Sequence, residues 1–202
     1  MNIGSIALFC GSADGNVPHY AEVAEQLGAR CAREGLTLYY GGARLGLMKK
    51  AADAALKNKG RVVGIAPSFF SRNVVIADNL SELILVDSMS ERKQMMEKLA
   101  DAFVALPGAY GTMDEFFELI TDAQLGLHHA PVALLNIDGY FDHLLALLDR
   151  FEQDGFLRPF HHQLLIVATT LDELFDKLFQ YQNTNSQEWL QKIKENAAGK
   201  TK

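Results

Sequence analysis

The sequence predicts an α/β fold in which helices cover both faces of a doubly wound, mostly parallel sheet. Short apolar runs alternate with longer amphipathic stretches along most of the chain. This alternation is typical of parallel strands joined by crossover helices. Glycine-rich turns follow the first two apolar runs, where a strand must turn sharply into a helix. The predicted arrangement is Rossmann-like, and ligands of such sheets bind beyond the carboxyl ends of the strands.

The composition is that of a folded, acidic protein. Of the 202 residues, 49% are hydrophobic and 22% are charged, which excludes a disordered chain, a coiled coil and a membrane protein. The formal net charge is −6, so nucleic acid is not an expected partner, because neutralising its phosphates requires a basic face. No apolar run approaches the about 20 residues of a membrane span. The first residues lack a basic leader, so we expect a cytoplasmic protein.

Seven strands and a series of helices follow one another in the predicted order. The predicted strands cover residues 3–10, 36–40, 61–66, 83–86, 102–106, 132–135 and 164–167. The predicted helices begin at Pro18 and after Gly46 and then cover residues 90–100, 112–127, 140–153 and 171–179. Proline suits the first turn of a helix, and Gly35 ends the first one. Residues 68–80 fit a short helix and a loop.

The length predicts one domain, since about 150 residues is the usual domain size. We expect this domain to span residues 1–180 and the polar, partly helical tail to span residues 181–202, with a weak amphipathic segment around Trp189. Cys10 and Cys31 lie far apart and have no partner at metal-ligand spacing. Two buried thiols in a reducing compartment are therefore expected, and no metal site.

Two of the turns at predicted strand ends contain glycine. Gly11 and Ser12 follow the first strand, where glycine lets a ligand approach the backbone and serine offers a hydroxyl; an ordinary turn also accounts for them. Gly41 and Gly42 follow the second strand and expose N–H groups beside a helix N-terminus, which suits an anion. A tight turn explains these glycines equally well. Their spacing is not the dinucleotide fingerprint, which argues against a nicotinamide-dependent oxidoreductase.

The turn at residues 106–115 is the most specific of these loops. Gly108 and Gly111 allow close approach to the backbone, and Thr112 offers a hydroxyl and an N–H group to phosphate oxygens. Glu115 lies one helical turn further along. Thr112 and Glu115 also match a capping box, in which both side chains only satisfy the N–H groups of their own helix. Two glycines and Pro107 exceed what capping requires, so we favour a phosphate site.

Two cations begin the helix predicted at residues 90–100. Ser88 and Glu91 form a capping box there, and Arg92 and Lys93 follow in the first turn. Cations at this position oppose the helix dipole at a cost of about 0.3–1 kcal/mol each. Either a negative ligand compensates them or they form a solvated basic pair.

In this order, the motifs resemble the LOG ("lonely guy") family of cytokinin riboside 5′-monophosphate phosphoribohydrolases, whose bacterial members are often labelled lysine decarboxylase-like. The family pattern P-G-G-x-G-T-x-x-E is matched by Pro107, Gly108, Gly111, Thr112 and Glu115, and the pattern R-K-x-x-M by Arg92, Lys93 and Met96. Ala43 and Ala109 replace glycines of the family motifs, and Lys49 stands where a further glycine is common. Alanine at a positive φ would cost about 1–2 kcal/mol, and the added methyl group would narrow a pocket.

The resemblance implies hydrolysis of the bond between ribose and base in an adenosine 5′-monophosphate, with or without a substituent on the 6-amino group. It assigns catalysis to Glu115, whose carboxylate would stabilise an oxocarbenium-like sugar or activate water, and to Arg92, which would hold the ligand and offset charge. The implied substrate-binding residues are Gly11, Ser12, Gly41, Gly42, Met89, Lys93, Gly108, Ala109, Tyr110, Gly111, Thr112 and Thr121.

The resemblance also implies a homodimer in which partner residues help to close the pocket, and it implies no cofactor and no metal. The alternative is a non-catalytic nucleotide-binding or carrier protein of the same fold, since fold alone does not determine function. A pyridoxal-phosphate decarboxylase is supported only by the older label, because no lysine stands out as a Schiff-base candidate.

Overall fold

Seven parallel strands form one sheet in the computed structural model, which describes residues 3–71 and 76–182. The strands are β1 (Ser5–Phe9), β2 (Thr37–Tyr40), β3 (Val62–Pro67), β4 (Glu82–Val86), β5 (Ala102–Ala105), β6 (Val132–Leu135) and β7 (Leu165–Ala168). Their order across the sheet is β4-β3-β2-β1-β5-β6-β7. The chain first moves outward from β1 to β4 and then returns to place β5 beside β1. The reversal between β1 and β5 is the position at which ligands of such sheets bind.

Helices lie on both faces of the sheet, as predicted. They are α1 (Pro18–Arg33), α2 (Gly46–Lys57), α3 (Ser68–Ser71), α4 (Met89–Leu99), α5 (Tyr110–Leu125), α6 (Asp142–Gln153), α7 (Pro159–His162) and α8 (Leu171–Gln180). One hydrophobic core joins the sheet to α1, α2 and α8, and a second core joins its other face to α4, α5 and α6. Among the described helices, none has the length and apolar character that crossing a membrane requires.

The predicted strands and long helices are confirmed, with small shifts at their ends. The sequence pattern missed α7 and a 3-10 turn at Ile137–Gly139, because neither is long enough for an amphipathic pattern to repeat. The short helix expected within residues 68–80 is α3, and residues 72–75 of that stretch lie outside the described residues. The expected tail from residue 181 onward is described only at residues 181 and 182, so its helical segment stays a prediction.

Helices α1 and α2 pack closely against each other beside the turns that follow β1 and β2. A Cβ atom on Gly28 would stand 1.9 Å from the carbonyl oxygen of Ala51, so only glycine permits this approach. The packing places the beginning of α2 directly beside the turn that follows β1, where Leu47 N–H donates to the carbonyl oxygen of Gly11 over 3.1 Å. Two of the predicted loops are thereby joined.

Candidate active site

A cavity of about 330 Å³ opens at the carboxyl ends of β1 and β5, at the reversal of strand order. It brings together eight of the predicted site residues, namely Gly11, Ser12, Arg92, Gly108, Ala109, Gly111, Thr112 and Glu115. The remainder of its wall comes from the β1–α1 turn, the start of α2 and two tyrosines: Cys10, Ala13, Asp14, Gly15, Tyr20, Leu47, Met48, Pro107 and Tyr140. The cavity therefore joins the first and third predicted loops into one site.

The loop after β5 presses closely against the loop after β1. Gly11 N–H donates to the carbonyl oxygen of Pro107 over 2.9 Å. A Cβ atom on Gly108 would stand 2.1 Å from the hydroxyl oxygen of Thr112 and 2.9 Å from the Gly11 nitrogen, so residue 108 must be glycine. Gly111 differs, because a Cβ atom there would meet nothing within 4 Å. The open space at Gly111 lies at the N-terminus of α5, whose first N–H groups have no partner within the helix and suit an anion.

The capping-box explanation of Thr112 and Glu115 is wrong. Helix α5 begins at Tyr110, two residues earlier than predicted, and its N-cap residue is Ala109, which makes no side-chain capping hydrogen bond. Thr112 therefore lies inside the first turn and is buried with 3% exposure. Glu115 lies in the second turn and faces the cavity. Its carboxylate is thus available for another role.

Neither alanine that replaces a family glycine is strained. Ala109 has φ −108°, which any residue adopts. Ala43 is also absent from the non-glycine residues with positive φ, which in the described chain are Lys59 and Asp138. Because Ala109 lines the cavity, its methyl group reduces the space available to a ligand without a cost in backbone strain.

Arg92 and Glu115 form a buried ion pair at the floor of the cavity. The Nη2 atom of Arg92 lies 2.7 Å from Oε1 of Glu115, and the two side chains are 9% and 8% exposed. Burial raises the pKa of Glu115 above its ordinary value, and the neighbouring guanidinium offsets only part of that effect. The Nε atom of Arg92 is buried without a hydrogen-bond partner among the described residues. A buried donor without a partner is the arrangement expected where a ligand supplies the acceptor.

Two neighbours fix the guanidinium of Arg92. A Cβ atom on Gly41 would stand 2.6 Å from its Nη2 atom, so this glycine provides the space in which the guanidinium lies. The sulfur of Met89 lies 3.9 Å from Nη1 on the other side. Both residues were predicted to bind substrate, and in this structure each contacts Arg92, which itself lines the cavity.

The prediction of a solvated basic pair in α4 is wrong. Lys93 pairs with Asp114 over 3.0 Å and with Glu118, while Arg92 pairs with Glu115. Hydrogen bonding to Glu118 raises the pKa of Lys93. Carboxylates of α5 therefore compensate both cations that oppose the dipole of α4.

Six predicted residues lie outside the cavity lining: Gly41 and Met89, which lie beside Arg92, and four others. Gly42, at φ +73°, accepts a backbone hydrogen bond from Ala77 over 2.9 Å. Lys93, Tyr110 and Thr121 line a separate surface groove, here called the α5 groove, which also contains Met113, Asp114, Phe117, Glu118 and Asp122. The single chain therefore does not bring these three side chains to the cavity.

Two tyrosines of the cavity wall were not predicted as site residues. Tyr20 and Tyr140 meet edge to face, with ring centroids 5.6 Å apart. The hydroxyl of Tyr140 donates to the carbonyl oxygen of Gly108 over 2.6 Å. No periodicity in the sequence reveals a contact between residues 32 positions apart.

The Cys10 thiol lies in the cavity wall but is not suited to act as a nucleophile. It is buried, and burial raises its pKa far above the ordinary value, so the thiol stays protonated. Among residues 3–71 and 76–182, no group of three or more histidine, cysteine, aspartate or glutamate side chains is placed to hold a metal ion.

This fold and site define a class of parallel α/β proteins with a cavity at the reversal of strand order that contains a buried carboxylate–guanidinium pair. The chain belongs to the family described as "possible lysine decarboxylase", whose model matches residues 48–178. The match agrees with the resemblance found in the motifs.

Relatives with named activities support the same family. The chain is 40% identical over 174 residues to a probable cytokinin riboside 5′-monophosphate phosphoribohydrolase of Oryza sativa subsp. japonica, covering 86% of this chain and 82% of the relative. It is 39% identical over 177 residues to a cytokinin riboside 5′-monophosphate phosphoribohydrolase of Arabidopsis thaliana, covering 88% and 82%. The predicted membership of the LOG family is confirmed.

Solved structures share the fold at lower sequence identity. A molybdenum cofactor binding protein from Rippkaea orientalis matches with a TM-score of 0.66 and 22% identity over 87% of this chain and 95% of that one. The molybdenum cofactor carrier protein of Chlamydomonas reinhardtii matches with a TM-score of 0.66 and 20% identity, covering 89% and 98%. These similarities confirm the α/β fold and carry no information on the ligand.

Proposed function

We propose that this protein hydrolyses the N-glycosidic bond of adenosine 5′-monophosphates, either AMP or AMP substituted on the 6-amino group, to the free base and ribose 5-phosphate. The observation that carries the proposal is the buried Glu115 carboxylate, which faces the same cavity as the N-terminus of α5. The named activities of the relatives support the same reaction.

The cavity offers separate positions for the phosphate and for the bond that breaks. The 5′-phosphate would lie against Gly111 and Thr112, where free N–H groups and the helix dipole favour an anion. Glu115 lies one helical turn further along α5 and lines the same cavity. A ribose bound between these points would hold its anomeric carbon near the carboxylate.

The residues present fit the charges that develop during hydrolysis. The bond between C1′ of the ribose and N9 of the base breaks, the electron pair leaves with the base, and a water oxygen bonds to C1′. The ionised Glu115 either stabilises the oxocarbenium-like sugar or accepts the proton that the attacking water releases, and this proton passes through Glu115 or solvent to N9 of the departing base. Arg92 stays charged at any working pH and offsets negative charge on the departing base or the phosphate.

The direct test is to incubate the purified protein with AMP and with isopentenyl-substituted AMP and to measure free base by chromatography. Release of base from either nucleotide is the expected result. A matched control is Glu25→Gln, which changes a carboxylate that pairs with Lys50 outside both the cavity and the α5 groove. Binding of both nucleotides without release of base would favour the non-catalytic carrier.

We also propose that the protein forms at least a homodimer through the α5 groove. Tyr110 is 95% exposed and Phe117 is 37% exposed on this face, and exposed apolar patches of this kind mark interaction surfaces. Tyr110 directly follows the cavity residue Ala109, so a second copy seated here would lie at the edge of the site. The predicted roles of Lys93, Tyr110 and Thr121 in binding would then be met at the interface.

The oligomeric state tests this interface. Light scattering after size exclusion should give a dimer for the wild type and a monomer for Phe117→Asp. The control is Phe156→Asp, which places the same charge on an exposed phenylalanine outside the α5 groove. A monomeric wild type, or a Phe117→Asp variant that stays dimeric, would contradict the proposal.

We propose a cytoplasmic location on the basis of the cysteines. Cys10 and Cys31 are both free and buried, and free thiols persist in a reducing compartment. Fractionation of cells that express the protein tests this, and recovery from an oxidising compartment would contradict it.

A further inference from the structure

We infer that Tyr140 is a positioning residue that holds the phosphate-binding loop in its active conformation. This inference rests on the proposed function, because it assigns the loop at residues 107–112 to the 5′-phosphate. Tyr140 comes from the distant β6–α6 connection, and its hydroxyl donates to the Gly108 carbonyl oxygen over 2.6 Å.

The hydrogen bond matters because a carbonyl oxygen and a phosphate repel each other. An anion site made from backbone requires N–H groups toward the ligand and carbonyl groups engaged elsewhere. Two successive carbonyl groups of this loop are engaged: Pro107 accepts from Gly11 N–H over 2.9 Å and Gly108 accepts from Tyr140. The N-terminus of α5, where a Cβ atom on Gly111 would meet nothing within 4 Å, is thus left with N–H groups that can bind an anion.

The connection that carries Tyr140 is held rigidly by its own side chains. Asn136 is buried, its amide nitrogen donates to Asp142 over 2.8 Å, and its amide oxygen accepts from the N–H of Phe141 over 2.7 Å. Asp138 adopts a left-handed conformation with φ 52° and pairs with His19 over 2.8 Å. The uncommon conformation of Asp138, with its partner His19, and the two hydrogen bonds of Asn136 together indicate that the position of Tyr140 is specified.

The ring of Tyr140 is also fixed from two sides. It meets Tyr20 edge to face at 5.6 Å and Phe141 edge to face at 4.9 Å. Because the ring is held in place, the Tyr140 side chain loses little conformational freedom when its hydroxyl donates to the Gly108 carbonyl oxygen. Removing only the hydroxyl should free the Gly108 carbonyl and leave the ring packing intact.

The test is Tyr140→Phe, with Tyr181→Phe as the matched control at the end of α8, outside the cavity. Calorimetric binding of ribose 5-phosphate should weaken about fivefold, since one net hydrogen bond is worth about 1 kcal/mol at about 1.4 kcal/mol per tenfold change. The KM for AMP should rise by the same factor while kcat stays within about twofold. Binding of adenine, which has no phosphate, should be unchanged, as should the melting temperature.

Each of three other results would overturn the inference. Unchanged affinity for ribose 5-phosphate would show that the hydroxyl does not organise the loop. Weaker adenine binding would place the hydroxyl on the base, and a large loss of kcat would make it part of the chemistry. Because ribose 5-phosphate is not hydrolysed, its binding is measured without turnover, and a wild type that binds AMP but releases no base would reject the proposed reaction and leave this test intact.

Discussion

Replacing Glu115 and replacing Arg92 should have unequal effects on the stability of the protein. We consider Glu115→Gln, which keeps the shape of the side chain, and Arg92→Met, which removes the charge and keeps an extended chain. Glutamine retains an oxygen that can accept from Arg92 Nη2 at the observed 2.7 Å. Methionine leaves a buried carboxylate without a partner.

The magnitudes follow from the burial of the pair. Opposite charges about 4 Å apart attract by about 4 kcal/mol at an effective dielectric constant of about 20. The pKa of Glu115 is nevertheless raised, with burial as the largest cause, so burial costs the carboxylate more than this attraction returns. The neutral glutamine removes that cost and can still accept from Arg92, but it leaves the guanidinium without an opposite charge, so we expect Glu115→Gln to lose less free energy of unfolding at pH 7 than Arg92→Met does. We expect Arg92→Met to lose about 3–5 kcal/mol, as buried pairs do when one partner is removed.

Stability and turnover are measured on the same preparations. Urea unfolding at pH 7 gives the free energies, and release of base from AMP gives the rates. Glu115→Gln should lower kcat by about 100- to 10,000-fold, the usual contribution of a positioned acid–base group, with nucleotide binding retained. The double variant, Glu115→Gln with Arg92→Met, completes a double-mutant cycle. Adding Arg92→Met to Glu115→Gln should lower the free energy of unfolding much less than Arg92→Met does in the wild type, because no carboxylate is left unpaired.

Two results would refute this reasoning. If Glu115→Gln lost as much stability as Arg92→Met, the pair would be a net stabilising interaction, and the balance of burial against attraction would be wrong. If Glu115→Gln kept its turnover, Glu115 would not be the catalytic carboxylate.

Three further predictions follow from the same structure. Folding raises the pKa of Glu115 from its ordinary 4.5. The wild type should therefore lose stability relative to Glu115→Gln as the pH rises from about 4.5 through the raised pKa. If the free energies of unfolding of the two proteins changed in parallel with pH, or in the reverse order, the prediction would be contradicted. Gly108→Ala would place a Cβ atom 2.1 Å from Thr112 Oγ1 and should cost about 1–3 kcal/mol; Gly111→Ala, with open space around it, is the stability control, and equal melting temperatures would count against the tight loop. Burial raises the pKa of Cys31 to about 12 and that of Cys10 further, so Ellman's reagent at pH 8 should label neither thiol until the protein is unfolded, and rapid labelling of the native protein would show an accessible site.

The fold was predictable because its signals are local. Each strand is a short apolar run, and turn residues such as Gly35 and the capping residue Ser88 mark where helices end and begin. The cap of α5 was mispredicted for a related reason: Thr112 and Glu115 have the spacing of a capping box, but Tyr110 and Gly111 also take helical conformations and move the start of the helix. Local spacing alone does not distinguish these two starts.

The ion pair at the centre of the site shows why the remainder was not predictable. Arg92 precedes β5 and Glu115 follows it, and their side chains meet because the chain crosses from β4 at the edge to β5 beside β1 and places α4 and α5 over the same face. Strand order is a property of the whole chain, and no motif contains it. Each helix alone contains a residue that local physics disfavours, a cation at the start of α4 and a carboxylate in an apolar stretch of α5. Even as a pair, Arg92 and Glu115 cost free energy to bury. Proteins keep such a destabilising arrangement where the charged groups are needed for function.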